Sequence, residues 1–191
     1  MGIDLTLLKE YFKYLNANFH NEYILVGSFI DYVEIQTDLS KDIDVIITKN
    51  KFESIFEKNQ NHIQDNDLNI SHIKYRSLFR TLTFPQYSGY YKHNIKTDIF
   101  ILDMGRINCD HPIADLDKKS MYSSRLYTIE DTTVRLSQTD YRVRCLKYLL
   151  KVSYDVKNIP RWTQDWLQNK RPTIINKLNL YYQKYPEFKS I

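Results

Sequence analysis

The sequence predicts an α/β (α+β) chain, with a short mixed sheet flanked by helices over residues 1–117 and a basic helical C-terminal lobe over residues 118–191. Three observations lead there. Two apolar runs, Tyr23-Ile24-Leu25-Val26 and Asp42-Ile43-Asp44-Val45-Ile46-Ile47, have strand length and are separated by a helix-length interval. Between Leu68 and Asp103 the hydrophobic period falls to two. Over residues 4–19, and again from Thr139 onward, apolar side chains return at helical spacing.

Taken in order, Leu5, Leu8, Phe12, Leu15 and Phe19 follow the capping candidate Asp4 and form one apolar stripe, so residues 4–19 are expected to be an amphipathic helix. The first strand covers residues 23–26. Gly27-Ser28 then turns the chain into a second helix whose apolar positions are Phe29, Ile30, Tyr32 and Val33. Residues 36–41 are polar and loop-like, and residues 42–48 make the second strand. Asn50 is the expected cap of a third helix with Phe52, Ile55 and Phe56 inward, and residues 59–67, dense in Asn, Asp and Gln, read as an exposed connection. The period-two region divides into two or three strands, with residues 86–94 as a hairpin tip. Residues 105–136 combine turn signals around His111-Pro112 with a mixed pattern around Leu126-Tyr127-Thr128-Ile129. Thr139 or Asp140 starts a helix bearing Val143, Leu146, Leu149, Leu150 and Val152, with Arg144, Lys147 and Lys151 on another face. Pro160 and Pro172 each suit the first turn of a helix, so two further helices are expected to begin there.

At 191 residues and 42% hydrophobic, the chain can build one core with a small appended lobe. No apolar run reaches the roughly 18 residues of a membrane span, and Asp4, Lys9 and Glu10 stand where a signal peptide would be basic and then apolar. A cytoplasmic protein with no membrane partner is expected. Cys109 and Cys145 lack CxxC spacing, which argues against a zinc site or disulfide framework and for a reducing compartment. The net charge of +4 is unevenly spread: residues 1–117 hold 12 Lys and Arg against 17 Asp and Glu, a net of −5, whereas residues 118–191 hold 15 against 6, a net of +9. A basic lobe facing an acidic half attracts polyphosphate or nucleic acid, although lysine-rich helical faces are also commonly just solvated.

The candidate chemistry lies in the first half. Side chains alternate along a strand, so Asp42 and Asp44 share one face while Ile43, Val45 and Ile47 share the other. Two carboxylates so placed repel one another unless a cation stands between them, and Mg²⁺ takes such oxygen ligands together with substrate phosphates. The bland alternative is a pair of solvated aspartates at the end of a strand. Gly27-Ser28 marks a strand-to-helix turn, where backbone N–H groups and the helix dipole favour an anion and glycine permits close approach. Asp98, in Lys96-Thr97-Asp98-Ile99-Phe100-Ile101, supplies a third carboxylate, in phase with Phe100 and Leu102; Asp103, on the opposite phase, is its rival.

The order apolar-Gly-Ser, Asp-apolar-Asp-apolar, and a lone Asp on a later strand resembles the signature of the nucleotidyltransferase superfamily that includes DNA polymerase beta, the CCA-adding enzymes, aminoglycoside nucleotidyltransferases and small toxin-type members. The resemblance covers about residues 20–103, and Ser40-Lys41-Asp42-Ile43-Asp44 is closest in wording to the antibiotic-modifying and toxin branches. By position it implies that Gly27 and Ser28 hold the triphosphate of an NTP donor, that Asp42 and Asp44 bind two Mg²⁺ ions, and that Asp98 binds the catalytic one. Phe29 and Ile30 replace the small residues usual after Gly-Ser. Lys41, Arg142, Arg144, Lys147 and Lys151 are candidate contacts for phosphate or acceptor, and RNA such as tRNA, protein or a small molecule are all candidate acceptors. The alternative is a catalytically silent member of the same fold that binds nucleotide or nucleic acid.

Overall fold

A computed structural model describes residues 3–20, 22–40, 42–55, 63–64, 67–79, 82–102, 123–154 and 161–191. Eight described strands form one mixed sheet: β1 (Tyr23–Val26), β2 (Asp42–Thr48), β3 (Ile63–Gln64), β4 (Leu68–Phe79), β5 (Leu82–Tyr91), β6 (Ile95–Leu102), β7 (Arg125–Ile129) and β8 (Thr132–Leu136). Their order is β3-β4-β5-β6-β2-β1-β8-β7. Both β2 against β6 and β1 against β8 run parallel, and the other neighbours are antiparallel. The described helices are α1 (Leu5–Phe19), α2 (Ser28–Ile35), α3 (Lys49–Ile55), α4 (Thr139–Val152) and α5 (Arg161–Lys184), with a 3₁₀ turn at Pro186–Lys189.

One face of the sheet carries most of the core. The stripe on α1, with Leu8, Tyr11, Phe12, Leu15 and Phe19 buried, packs over Leu25, Ile43, Val45, Ile47, Ile99 and Ile101. Asp4 caps α1 as expected, its Oδ1 accepting from the Thr6 N–H at 2.9 Å. On the opposite face Ile24, Val26 and Ile46 meet Tyr141 of α4. This alternation is the strand phase expected from the sequence, with Asp42, Asp44, Lys96 and Asp98 carried on the α4 face.

Four features differ from expectation. The third helix is capped from Thr48, whose Oγ1 accepts from the Lys51 N–H at 3.2 Å, and Asn50 lies inside the first turn. The hairpin tip is narrower than residues 86–94: β5 runs to Tyr91, and Lys92 and His93 make the turn with positive φ of 45° and 60°. Pro172 begins no new helix; it lies inside the continuous α5, because the tertiary packing of Leu167, Ile174, Leu178 and Tyr181 against α4 outweighs the loss of one backbone donor. The division expected at residues 117 and 118 lies outside the described residues, but the part that follows it is not helical alone. After it, β7 and β8 join the main sheet beside β1, and described helix resumes only at Thr139.

The second half is fastened to α2 by a buried polar cluster. Asp31 is wholly buried and takes Arg142 Nε at 2.8 Å, Lys177 Nζ at 2.7 Å and the Tyr181 hydroxyl at 3.0 Å. One turn on, Glu34 accepts from Arg125 and from the Tyr185 hydroxyl, with Lys184 Nζ at 3.6 Å. Burial pushes both carboxyls up, yet these partners outweigh it and hold each below its ordinary value.

Candidate functional site

The site is assembled by strand register. Val26 pairs with Asp44 across β1 and β2, Asp44 pairs with Asp98 across β2 and β6, and Asp42 pairs with Lys96 in the same ladder. Register alone therefore places Asp44 and Asp98 side by side. Gly27, the residue after Val26, lies over Asp44. Its φ of +68° with ψ of −138° belongs to glycine, and a Cβ there would come within 2.0 Å of Asp44 Oδ2. Gly27 caps α2 with no side-chain bond, so the start of the helix is left to backbone N–H groups, the arrangement that favours an anion. Ser28 is the first helical residue, and its Oγ donates to the Asp42 carbonyl at 3.3 Å, tying the turn to the start of β2.

Burial, then the charge of Asp98, pushes the Asp44 carboxyl up to about 7, with Asp42 adding to the push and Arg142 and Lys96 opposing it. Asp98 is nearly buried and receives a hydrogen bond from Ser88 Oγ on Oδ1. Asp42 is turned outward to Lys96, whose Nζ lies 3.0 Å from Asp42 Oδ2 and 3.7 Å from Asp98 Oδ2. Among the described residues, no three His, Cys, Asp or Glu are gathered closely enough to hold a metal ion. The donor set nevertheless fits a hard cation. Asp44 and Asp98 offer carboxylate oxygens in a buried place where Arg142 and Lys96 offset their mutual repulsion only in part, and Asp42 can join them by leaving Lys96.

The structure thus brings Gly27, Ser28, Asp42, Asp44 and Asp98 to one place. From α4 it is Arg142 that acts on Asp44, held by Asp31. Arg144 lies about 200° further round the helix and pairs with Asp140 at 3.3 Å. Lys147 donates to the carbonyls of Phe188, Lys189 and Ile191 at 2.9, 3.2 and 2.6 Å and lies over the Tyr182 ring. Lys41 and Asp103 lie outside the described residues. Sequence reasoning did not single out Ser88, Lys96 or Asp31. The signal for Lys96 was its position two before Asp98, hence on the same strand face; Ser88 and Asp31 carried none.

No family model matches the chain, and no curated protein matches it. Among solved structures it is similar to JHP933 from Helicobacter pylori, at 13% identity over 98% of this chain and 70% of that one, with a TM-score of 0.40. It is also similar to an antigenic nucleotidyltransferase-like protein from Paracoccidioides brasiliensis, at 12% identity over 97% of this chain and 89% of that one, with a TM-score of 0.42. No helix among the described residues is long and apolar enough to cross a membrane.

Proposed function

We propose that the chain is a nucleotidyltransferase that moves a nucleoside monophosphate from an NTP to an acceptor hydroxyl, releasing pyrophosphate. The observation that carries this reading is the register pairing of Asp44 with Asp98 directly beneath the Gly27 turn. An anion seated at the start of α2 is then next to the carboxylates, so a triphosphate and its counter-ions share one place. The α2 N–H groups bind the phosphates, and the Ser28 hydroxyl joins them by turning from the Asp42 carbonyl. Asp42, Asp44 and Asp98 would hold Mg²⁺, which supplies charge neutralisation at the attacking and leaving oxygens when bound. The acceptor oxygen attacks the α-phosphorus, the bond to the pyrophosphate oxygen breaks with its electron pair, and the hydroxyl proton passes to Asp98 Oδ2. Ser88 fixes that carboxylate through Oδ1, which keeps the accepting atom in place.

The acceptor class is open to RNA such as tRNA, protein or a small molecule. Part of the +9 charge of the second half is turned inward, since Arg125, Arg142, Lys177 and Lys184 neutralise Asp31 and Glu34. Incubation with each α-labelled NTP, Mg²⁺ and cell extract tests the reading: label moving into one acceptor class is expected with the native chain and not with Asp44→Asn. No transfer to any class from any NTP overturns it.

A further inference from the structure

We infer that Lys96 is the built-in counter-ion of the carboxylate cluster and sets how tightly a divalent cation binds there, an inference that rests on the nucleotidyltransferase reading. In the β2–β6 ladder Lys96 lies opposite Asp42, and strand alternation puts it on the same face as Asp98. Its ammonium spans both, 3.0 Å from Asp42 Oδ2 and 3.7 Å from Asp98 Oδ2, which is ground a cation shared by these carboxylates must enter.

Of Arg142 and Lys96, the two cations with the largest effect on Asp44 among the described residues, Lys96 is the one free to leave. Arg142 is clamped through Nε and Nη2 by the buried Asp31 carboxylate. Lys96 is a third exposed, at 35%, and its partner Asp42 is 45% exposed. A flexible four-carbon stem lets the ammonium swing into solvent. An arriving dication therefore meets like charge and must also break the Asp42 pair, both of which weaken its binding.

The test uses the full chain and Mn²⁺ alone, titrated by calorimetry and by the electron paramagnetic resonance signal of the free ion, without nucleotide. Lys96→Met and Lys96→Gln are each expected to bind Mn²⁺ about tenfold more tightly than the native protein. Lys92→Met, which removes an exposed lysine on the same β5–β6 hairpin, paired there with Glu10 of α1, is expected to leave the affinity unchanged. Equal or weaker Mn²⁺ binding by both Lys96 variants, each folded by circular dichroism, overturns the inference and leaves the enzyme reading standing. Mn²⁺ binding by none of the proteins overturns the inference and the metal assignment together.

Discussion

Gly27→Ala is the sharpest perturbation of this site, because one methyl group tests both the turn and the carboxylate beneath it. The backbone at φ +68°, ψ −138° lies in a region that residues with a Cβ enter at about 1–3 kcal/mol. The new methyl would also meet Asp44 Oδ2 at 2.0 Å, Cγ at 2.9 Å and Cβ at 3.1 Å. Asp44 is flanked by Asp98 and cannot simply turn away, so overpacking adds about another 1–3 kcal/mol. For a chain of this size the sum, about 2–6 kcal/mol, corresponds to a fall in Tm on the order of 4–24 °C. The measurement is thermal unfolding in metal-free buffer at fixed pH, run as a double-mutant cycle with Asp44→Ala. Removing the colliding carboxylate should recover the steric part and leave the backbone part, giving a coupling of about 1–3 kcal/mol. A Tm loss under about 2 °C, or strictly additive effects, would refute the placement of Gly27 over Asp44.

Asp44 is held at about 7 against an ordinary value of 3.8, so the native state keeps a proton that the unfolded chain has lost. Stability of the metal-free protein should therefore fall as pH rises from about 4 to about 7. Asp44→Asn should flatten that fall, and denaturant titrations across this range with identical slopes for both proteins would contradict it. Replacing Asp31 by Leu leaves Arg142 and Lys177 buried without their carboxylate and is expected to destabilise the fold by about 3–5 kcal/mol; a loss under about 1 kcal/mol by chemical denaturation would show that the cluster does not hold α4 and α5. Asp98→Asn should abolish transfer in single-turnover assays while NTP binding by calorimetry largely survives, with Asp103→Asn mild; the reverse pattern would transfer the third carboxylate's role to Asp103.

What could be read from the residues was whatever a local period determines. Alternation was enough to put Asp42 and Asp44 on one face of residues 42–48 and Asp98 in phase with Phe100 along residues 95–102, though only the β2–β6 register brings the two faces together, and the helical stripe with its Asp4 cap was enough to place α1. What could not be read depends on partners distant in sequence. Asp31 and Glu34 look like ordinary polar positions of a short helix until Arg142 and Tyr185, 111 and 151 residues away, are folded against them. The same distance hid β7 and β8, whose exposed alternate residues give a weak strand signal and whose place beside β1 is a matter of topology. Pro172 misled because its local preference for a first turn was outweighed by packing on both sides of it.

The clasp on α2 also sets the order in which the molecule can be completed during its synthesis. Asp31 and Glu34 emerge from the ribosome early, and their counter-charges at Lys177 and Lys184 follow nearly 150 residues later, many seconds of elongation at typical rates. Until Arg125 and Arg142 have emerged α2 cannot bury its inner face without stranding two carboxylates, and β1 stays an open edge until Leu136, its partner on β8, arrives. The N-terminal half thus carries two carboxylates whose neutralising partners, among the described residues, all come from the second half of the chain. A chain interrupted before Lys177 would leave the Gly27 turn and its carboxylates on an unfinished scaffold.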